Sequence, residues 1–288
     1  MRDIPTSPRI VEIKRKTRKK FWRLFVLFLI LIISIIIGLS YFSNDKHLII
    51  DDIKIEGTNI IDPNNIDSFI KEKLTGKYIY LFAKANSLIY PEKGIYDGIL
   101  KEFPRIEELS ITREGFKTLH VKIKERAGSY LYCGKDLPTD ITLIGENCYF
   151  INNDGYVFDN APYFSGDVYF KYYVSMGDDI TTPLGKNIMD ENRFHELVRF
   201  IDGVESLGFK GAYIVIDSEG IDSLYLVKKG NATNPKIIFK NDADLDVMLD
   251  NLSSAMSKSE FANEINSKYD TLSYIDLRFD NKVIYKFQ

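Results

Sequence analysis

The side chains most suited to chemistry in this sequence are three histidines, two cysteines and scattered pairs of carboxylates. A zinc hydrolase needs two histidines in an H-E-x-x-H helix, but His195-Glu196 is followed by Leu197-Val198-Arg199. Ser68 and Lys71 have the S-x-x-K spacing of penicillin-binding enzymes, yet the partner motifs S-D-N and K-T-G are missing. Neither a phosphate-binding glycine loop nor a complete calcium loop is present. The sequence therefore predicts no catalytic residue, no metal site and no cofactor.

Cys133 and Cys148 are the only cysteines, and they favour a disulfide over the alternative of two buried free thiols. Residues 134–138 (GKDLP) are typical of a loop that returns the chain. Closing a loop of about 15 residues contributes ~3 kcal/mol in the chain-entropy account. A stable bridge also requires an oxidising compartment, so the prediction depends on where this part of the chain resides.

A predicted membrane segment indicates on which side of the membrane the cysteines lie. Residues 24–42 form an apolar run of 19 residues without a charge, which as a helix spans ~28 Å, close to the bilayer core. Residues 1–23 hold 9 Lys and Arg against 2 Asp and Glu, whereas residues 43–288 hold 29 against 39. The positive-inside bias predicts a cytoplasmic tail of residues 1–23, one transmembrane helix and a large extracytoplasmic part. A cleaved signal peptide is the alternative, but the run is long and no A-x-A-like site follows.

The acidic excess after residue 43 argues against nucleic-acid binding, and topology and anionic lipid explain the basic tail.

Residues 48–126 predict a compact β-α-α-β-β domain. A strand over residues 52–56 is followed by a helix with Asp62 as its cap and Pro63 as its first residue. A second helix ends before Pro104, and strands follow over residues 108–114 and 117–125. The fold class is α+β.

Residues 127–288 predict a mixed, strand-rich domain with two or more helices. One helix covers residues 191–207 behind Asp190, and another begins after Asp242. The domain ends in a hairpin of strands 274–279 and 283–287, and a three-residue connection would keep the apolar residues on one face. The predicted pairs are Phe279 with Val283, Leu277 with Tyr285, and Ile275 with Phe287. We expect the last strand at a sheet edge, open to an added strand or else covered or solvated.

Three local motifs, in this order behind a basic tail and one anchor, carry a resemblance to a known family. They are residues 55–59 (IEGTN), residues 121–126 (VKIKER) with residues 150–158 (FINNDGYVF), and residues 274–280 (YIDLRFD). The first resembles the opening strand and turn of a POTRA module, the small β-α-α-β-β domain found next to membranes. The whole arrangement, over about residues 10–288, resembles the FtsQ/DivIB proteins of bacterial cell division.

That resemblance implies a non-enzymatic scaffold in the bacterial inner membrane at the division septum. Such a scaffold links early and late division proteins, binds FtsB- and FtsL-like coiled-coil proteins and influences septal peptidoglycan synthesis. The POTRA-like domain would bind other division proteins. In the closing hairpin, the resemblance makes Arg278 the candidate for a salt bridge to the partner and Phe279 the candidate for an apolar contact. The full candidate partner-binding set is Tyr274, Arg278, Phe279, Val283, Tyr285 and Phe287.

The chain also departs from the family pattern. Ala127 stands where the family usually has a proline, and the cysteine pair is not a general feature of the family. An envelope enzyme or sensor with a POTRA-like stalk is one alternative, and a cell-wall-binding protein is another. A deep pocket surrounded by titratable residues would favour the enzyme, whereas an exposed sheet edge would favour the scaffold.

Overall fold

A computed structural model describes residues 8–140, 143–164, 168–177, 182–217, 220–228, 234–279 and 282–288. The chain divides into two compact units. The first unit is Met1–Leu100 with Glu108–Lys124, and the second is Lys101–Glu107 with Glu125–Gln288. The architecture is mixed α+β, as the sequence predicted, with six α-helices and one large sheet in the described residues.

Helix α1 covers Pro8–Ser43 and contains the apolar run. Its segment Arg18–Ser43 is long and apolar enough to cross a membrane, and none of its most apolar window is buried inside the protein. Near its end, Ser40 and Ser43, together with the following Asn44, hydrogen-bond to residues 81 and 83 of the same unit. This helix is therefore a possible transmembrane span.

The first unit contains a three-stranded sheet in the order β1-β5-β4, in which β1 and β5 run parallel. Its elements are β1 Asp52–Glu56, α2 Pro63–Leu74, β2 Lys77–Tyr78, β3 Phe82–Ala83, α3 Glu92–Glu102, β4 Ile106–Glu114 and β5 Thr118–Glu125. The predicted β-α-α-β-β order is present, and the small hairpin β2–β3 between the two helices is an addition that the sequence analysis did not predict.

Local sequence explains both helices of the first unit. The Asp62 side chain accepts a hydrogen bond from the backbone N–H of Asn64, and Pro63 occupies the first turn, where no donor is needed. Ile66 and Ile70 of α2 and Ile95 and Ile99 of α3 lie one turn apart in pairs, and all four are fully buried. The two apolar stripes thus contribute to the core of this unit together with buried strand residues such as Leu119 and Val121.

The second unit contains a nine-stranded sheet in the order β14-β13-β12-β11-β10-β9-β6-β7-β8. Its strands are β6 Tyr130–Tyr132, β7 Tyr149–Ile151, β8 Val157–Asn160, β9 Lys171–Val174, β10 Gly211–Ile216, β11 Ile221–Leu226, β12 Lys236–Lys240, β13 Leu272–Phe279 and β14 Lys282–Phe287. The pairs β6–β9, β9–β10 and β12–β13 are parallel, and the other adjacent pairs are antiparallel.

Helices α4 (Glu191–Ser206), α5 (Leu245–Met256) and α6 (Ser259–Ser267) contribute to the main core of this unit, on one face of the sheet. Asp190 and Asp244 cap the first two through their side-chain oxygens. Phe194, Phe200 and Leu252 supply buried helix residues to the core. This helix-covered face extends from β8 to β14.

The closing hairpin differs from the predicted register. Phe279 lies opposite Lys282, so only residues 280 and 281 connect the strands, and these two lie outside the described residues. Ile275 pairs with Tyr285 rather than with Phe287. The predicted three-residue connection is therefore wrong. The register shifts between Asp276 and Phe279, where one extra residue on β13 forms a bulge and returns the apolar side chains of both strands to the helix-covered face.

A disulfide joins Cys133 and Cys148. Cys133 follows β6, and its backbone N–H donates to the carbonyl of Tyr172 on β9. It packs beside Tyr173, Ala212 and Tyr213, a small buried cluster separate from the main core. The bridge therefore fixes the loop between β6 and β7 to the sheet.

We expect both cysteines to be oxidised in the native chain, and reduction to lower the free energy of unfolding by about 3 kcal/mol, because the reduced unfolded chain gains loop entropy. Intact-mass measurement after alkylation without reductant should show neither thiol modified, and urea unfolding with and without reductant should give the stability difference. Two alkylated cysteines in the folded, unreduced chain would reject the bridge.

One buried carboxylate has an unusual electrostatic environment. Asp222 on β11 is 1% exposed, and among the described residues its Oδ1 atom has no hydrogen-bond partner. Burial raises the pKa of Asp222 to about 6, although a backbone hydrogen bond from Asp217 and the charge of Arg193 oppose this effect. The folded state therefore binds this proton more tightly than the unfolded chain does.

This raised pKa predicts a loss of stability as the pH rises from about 4 to about 6, because the folded state holds more protons than the unfolded state in that window. Asp222→Asn removes the titration. The wild type should lose roughly 3 kcal/mol relative to this variant across the window. Urea unfolding at several pH values, in detergent, measures the difference. Parallel stability profiles for the two proteins would show that Asp222 is not held in this way.

Candidate functional site

The two edges of the large sheet differ in how their backbone groups are used. On β8, the N–H of Val157 donates to the carbonyl of Lys186, and the carbonyl of Val157 accepts from the N–H of Gly185. Residues 185–187 thereby cover the start of that edge. On β14, by contrast, no backbone bond to a segment other than β13 is found within the part of the chain that the structure describes. The last strand lies at an open edge, as the sequence predicted.

The two faces of β14 have different roles. Val283, Tyr285 and Phe287 are half-buried and pack against the main core. The ring of Tyr285 meets Phe261 of α6 edge to face at 5.1 Å, and its hydroxyl donates to Glu264 at 2.7 Å. That hydrogen bond raises the pKa of Tyr285. These three predicted partner residues are therefore engaged largely within the chain.

Ile284 occupies the opposite face and is 41% exposed, between the exposed residues Lys282 and Lys286. The sequence analysis did not select it, because Ile284 falls out of phase with the alternating apolar residues Val283, Tyr285 and Phe287. An isoleucine between two lysines on an edge strand was the available signal. Tyr274, a predicted partner residue, is half-buried opposite Lys286 on this same face.

Arg278 makes its ion pair within the chain. Its Nε donates to Oδ1 of Asp276 at 2.9 Å and its Nη2 donates to Oδ2 at 2.6 Å. The backbone N–H of Arg278 also donates to Oδ1, at 3.0 Å. Arg278 lies in the bulge of β13, where an extra residue leaves a backbone donor outside the ladder. Asp276 therefore satisfies the N–H that the bulge exposes.

Burial raises the pKa of Asp276, but the hydrogen bonds and the charge of Arg278 outweigh burial and hold this pKa below its ordinary value. The carboxylate side chain is 5% exposed and the guanidinium 33% exposed. A guanidinium has five N–H donors, so Arg278 retains further donors after forming this pair. Its remaining N–H groups can donate to a carboxylate of another molecule, but Asp276 already fixes the position of the guanidinium.

A cleft of about 530 Å³ lies at the turn end of the hairpin. Phe279, which is 48% exposed, lines it together with Val247 and Met248 of α5. Lys240 and Arg278 supply positive charge, and the acidic residues 242 and 244 supply negative charge. The cleft therefore offers an apolar surface with charges of both signs beside the open edge.

One group of side chains could hold a cation. Asp154 lies in the turn between β7 and β8, and Glu191 and His195 lie one turn apart on α4. Within the described residues this is the one group of three or more such side chains whose ligand atoms all lie within 4.8 Å of one another. His195 Nε2 is 3.3 Å from Asp154 Oδ1, and both side chains are about half exposed. Exposed groups of this kind are common without a metal, and such surface pairs stabilise little.

Comparison with known proteins adds no identification. No protein-family model matches the sequence, and no curated protein matches it significantly. The site is therefore defined by its own geometry: an open edge strand, an exposed isoleucine and phenylalanine, and a basic rim.

The pair of Asp276 and Arg278 should matter for stability. Arg278→Met leaves a buried carboxylate with only a backbone partner, and we expect a loss of about 1–3 kcal/mol. This contribution is present at neutral pH and is lost in acid, as the pH falls through the lowered pKa of Asp276. The double variant Asp276→Asn/Arg278→Met should recover part of the loss. Urea unfolding of the four proteins in a double-mutant cycle gives the coupling energy.

A matched control is the exposed pair of Lys54 and Glu114 in the first unit, which is 2.7 Å apart but more than half exposed on both sides. Lys54→Met should change stability little. Equal effects of Lys54→Met and Arg278→Met would contradict the role of burial. The geometry also shows that Arg278→Glu is a poor test of partner binding, because it would place a second carboxylate beside Asp276.

Proposed function

We propose that this chain is a membrane-anchored, non-enzymatic scaffold of the FtsQ/DivIB type, working in the bacterial division machinery. In this proposal, FtsB- and FtsL-like proteins bind at β14, and the POTRA-like first unit contacts other division proteins. The observation that carries the proposal is the open edge of the nine-stranded sheet at β14. The order of the sequence motifs supports the family, and the edge supports the mode of binding.

An added strand is the simplest partner for this edge. It would pair with the outward N–H and C=O groups of β14, and those bonds would supply affinity that does not depend on sequence. Specificity would come from side chains on both faces. One face presents the half-buried Val283, Tyr285 and Phe287, and the other presents Ile284.

The charges of β14 select among partners. Lys282 and Lys286 are both exposed on the face of Ile284, and Arg278 lies across the hairpin from them. Lysines on an edge strand discourage pairing with a second copy of the same edge. They favour instead a segment with acidic residues on the corresponding face, and this electrostatic match would raise the association rate.

The anchor gives the proposal its cellular location. Residues 1–23 are strongly basic and the rest of the chain is acidic, so the positive-inside rule directs both units to the extracytoplasmic side. The disulfide in the second unit fits an oxidising location. The chain would thus bridge the inner membrane and proteins outside it.

Partner capture tests the proposal. The full chain in lipid nanodiscs, used as bait, should bind purified FtsB- and FtsL-like proteins of the same bacterium. Ile284→Asp and Phe279→Ser should each weaken binding at least about tenfold, because each removes an exposed apolar contact, worth ~1.4 kcal/mol or more. Lys282→Glu with Lys286→Glu should slow association and reduce its salt dependence.

The control is Ile221→Asp. Ile221 is exposed to a similar degree, 39%, but it begins β11 in the interior of the sheet. The variant Ile221→Asp should leave binding unchanged. If the edge variants bind as well as the wild type, the edge is not the binding site. If the wild type binds neither protein, the proposed function itself is wrong.

A further inference from the structure

The turn of the small hairpin β2–β3 has an unusual sequence for its backbone. The N–H of Leu81 donates to the carbonyl of Tyr78 at 3.0 Å, which closes a four-residue turn. Its two central residues, Ile79 and Tyr80, both have positive φ, at 49° and 61°. Positive φ at both central positions is typical of a type I′ turn, which strongly prefers Asn-Gly. A β-branched residue with positive φ is a genuine outlier.

The same two side chains are among the most exposed apolar groups of the chain. Ile79 is 80% exposed and Tyr80 is 94% exposed. Their strained backbone is therefore not compensated by burial inside the protein. Strained residues of this kind cluster at functional sites, where the surroundings hold them in place. The turn is built to present an isoleucine and a tyrosine outward.

The hairpin is fixed to the end of α1. Ser40 Oγ and Asn44 Nδ2 donate to the carbonyl of Leu81 at 2.9 and 3.0 Å. The backbone N–H of Ala83 donates to Ser43 Oγ at 3.1 Å, and Asn86 Nδ2 donates to the carbonyl of Ser43 at 3.0 Å. Ser43 and Asn86 are buried. These four bonds join the hairpin and the helix within one unit.

The order of these contacts gives the direction of the hairpin. Ala83 bonds to Ser43, whereas the carbonyl of Leu81 accepts from Ser40, three residues earlier, and from the side-chain amide of Asn44, which folds back to donate to the carbonyl of Ser40 as well. Three residues of helix correspond to ~4.5 Å along the helix axis. The strand therefore runs back along α1 toward its apolar run, which ends at residue 42. Tyr80 and Ile79 come next in the chain beyond Leu81, in the direction of the membrane.

We propose that Ile79 and Tyr80 insert into the interfacial layer of the bilayer beside α1, so that the first unit has a second membrane contact. The occupant of this surface is lipid. Tyrosine suits the headgroup level, where its ring is apolar and its hydroxyl remains hydrated. Lys77 begins β2 and Lys84 follows β3, so both lie at the base of the hairpin, and Nζ of Lys84 lies over the ring of Tyr78. This inference rests on the membrane anchor in the proposed function.

Tryptophan fluorescence in vesicles tests the insertion. The chain has one tryptophan, Trp22, so Trp22→Phe gives a silent background. Tyr80→Trp and Ile79→Trp are then introduced separately, and the full chain is reconstituted in phosphatidylethanolamine–phosphatidylglycerol vesicles. A nitroxide placed just below the lipid headgroup should quench both tryptophans more strongly than a nitroxide deep in the acyl chains. Their emission should also be blue-shifted relative to a water-exposed tryptophan.

Two controls separate the possible results. Ile37→Trp, on the exposed surface of α1, should be quenched most by the deep nitroxide. Ile60→Trp is the matched exposed control, since Ile60 is 68% exposed. It precedes α2, whose 12 residues span ~18 Å, whereas the hairpin follows the other end of that helix. It should not be quenched.

Quenching at Ile79 and Tyr80 but not at Ile60 supports the insertion. Quenching at Ile37 alone overturns it while leaving the anchor intact. Equal quenching at Ile60 also overturns it, because the whole unit would then lie on the lipid. Failure of quenching at Ile37 removes the anchor, and with it both the inference and the proposed function. Circular dichroism and the intact disulfide confirm that each variant is folded.

Discussion

The constraint on which the second unit depends is the need to bury one face of the nine-stranded sheet. Three helices supply the cover, and the apolar residues of that face continue to β14 without a change of side. The two register shifts in β13 serve this continuity, because without the shift near the turn the short connection would turn Tyr285 toward solvent. The hairpin thus adjusts its backbone so that its apolar side chains stay under the helices.

That adjustment creates the polar features of the edge. The bulge releases the backbone N–H of Arg278, and a carboxylate two residues earlier accepts it and also binds the guanidinium. A buried charge is tolerated on this strand only because the arginine neutralises it. Asp276 and Arg278 therefore belong to both the fold and the candidate site, and a substitution of either residue changes the stability of the hairpin as well as the candidate site. The exposed residues Ile284 and Phe279 take no part in that ion pair.

The sequence predicted the long, regular elements well because their signals are local. Asp62, Asp190 and the apolar spacing of α2 and α4 identify helices without knowledge of the fold. The prediction from sequence was wrong where an element depends on residues that are distant in the chain. The register of the closing hairpin depends on helices α5 and α6, which bury Tyr285. No position was predicted for β8, whose Asp159-Asn160 end lacks alternation, or for the short helix α6. The turn at Ile79 was missed because its residues contradict the usual turn preference.

The joint between α1 and the hairpin has a mechanical consequence. A single helix tethered by a flexible linker could spin in the bilayer without moving what it carries. Here Ser40, Ser43 and Asn44 bind the hairpin directly, so any rotation of the helix is transmitted to the rest of the first unit. One residue of helix corresponds to about 100° of azimuth. If α1 spans a membrane as proposed, a second helix that packs against one side of α1 would thereby set the orientation of the strands and helices that follow it.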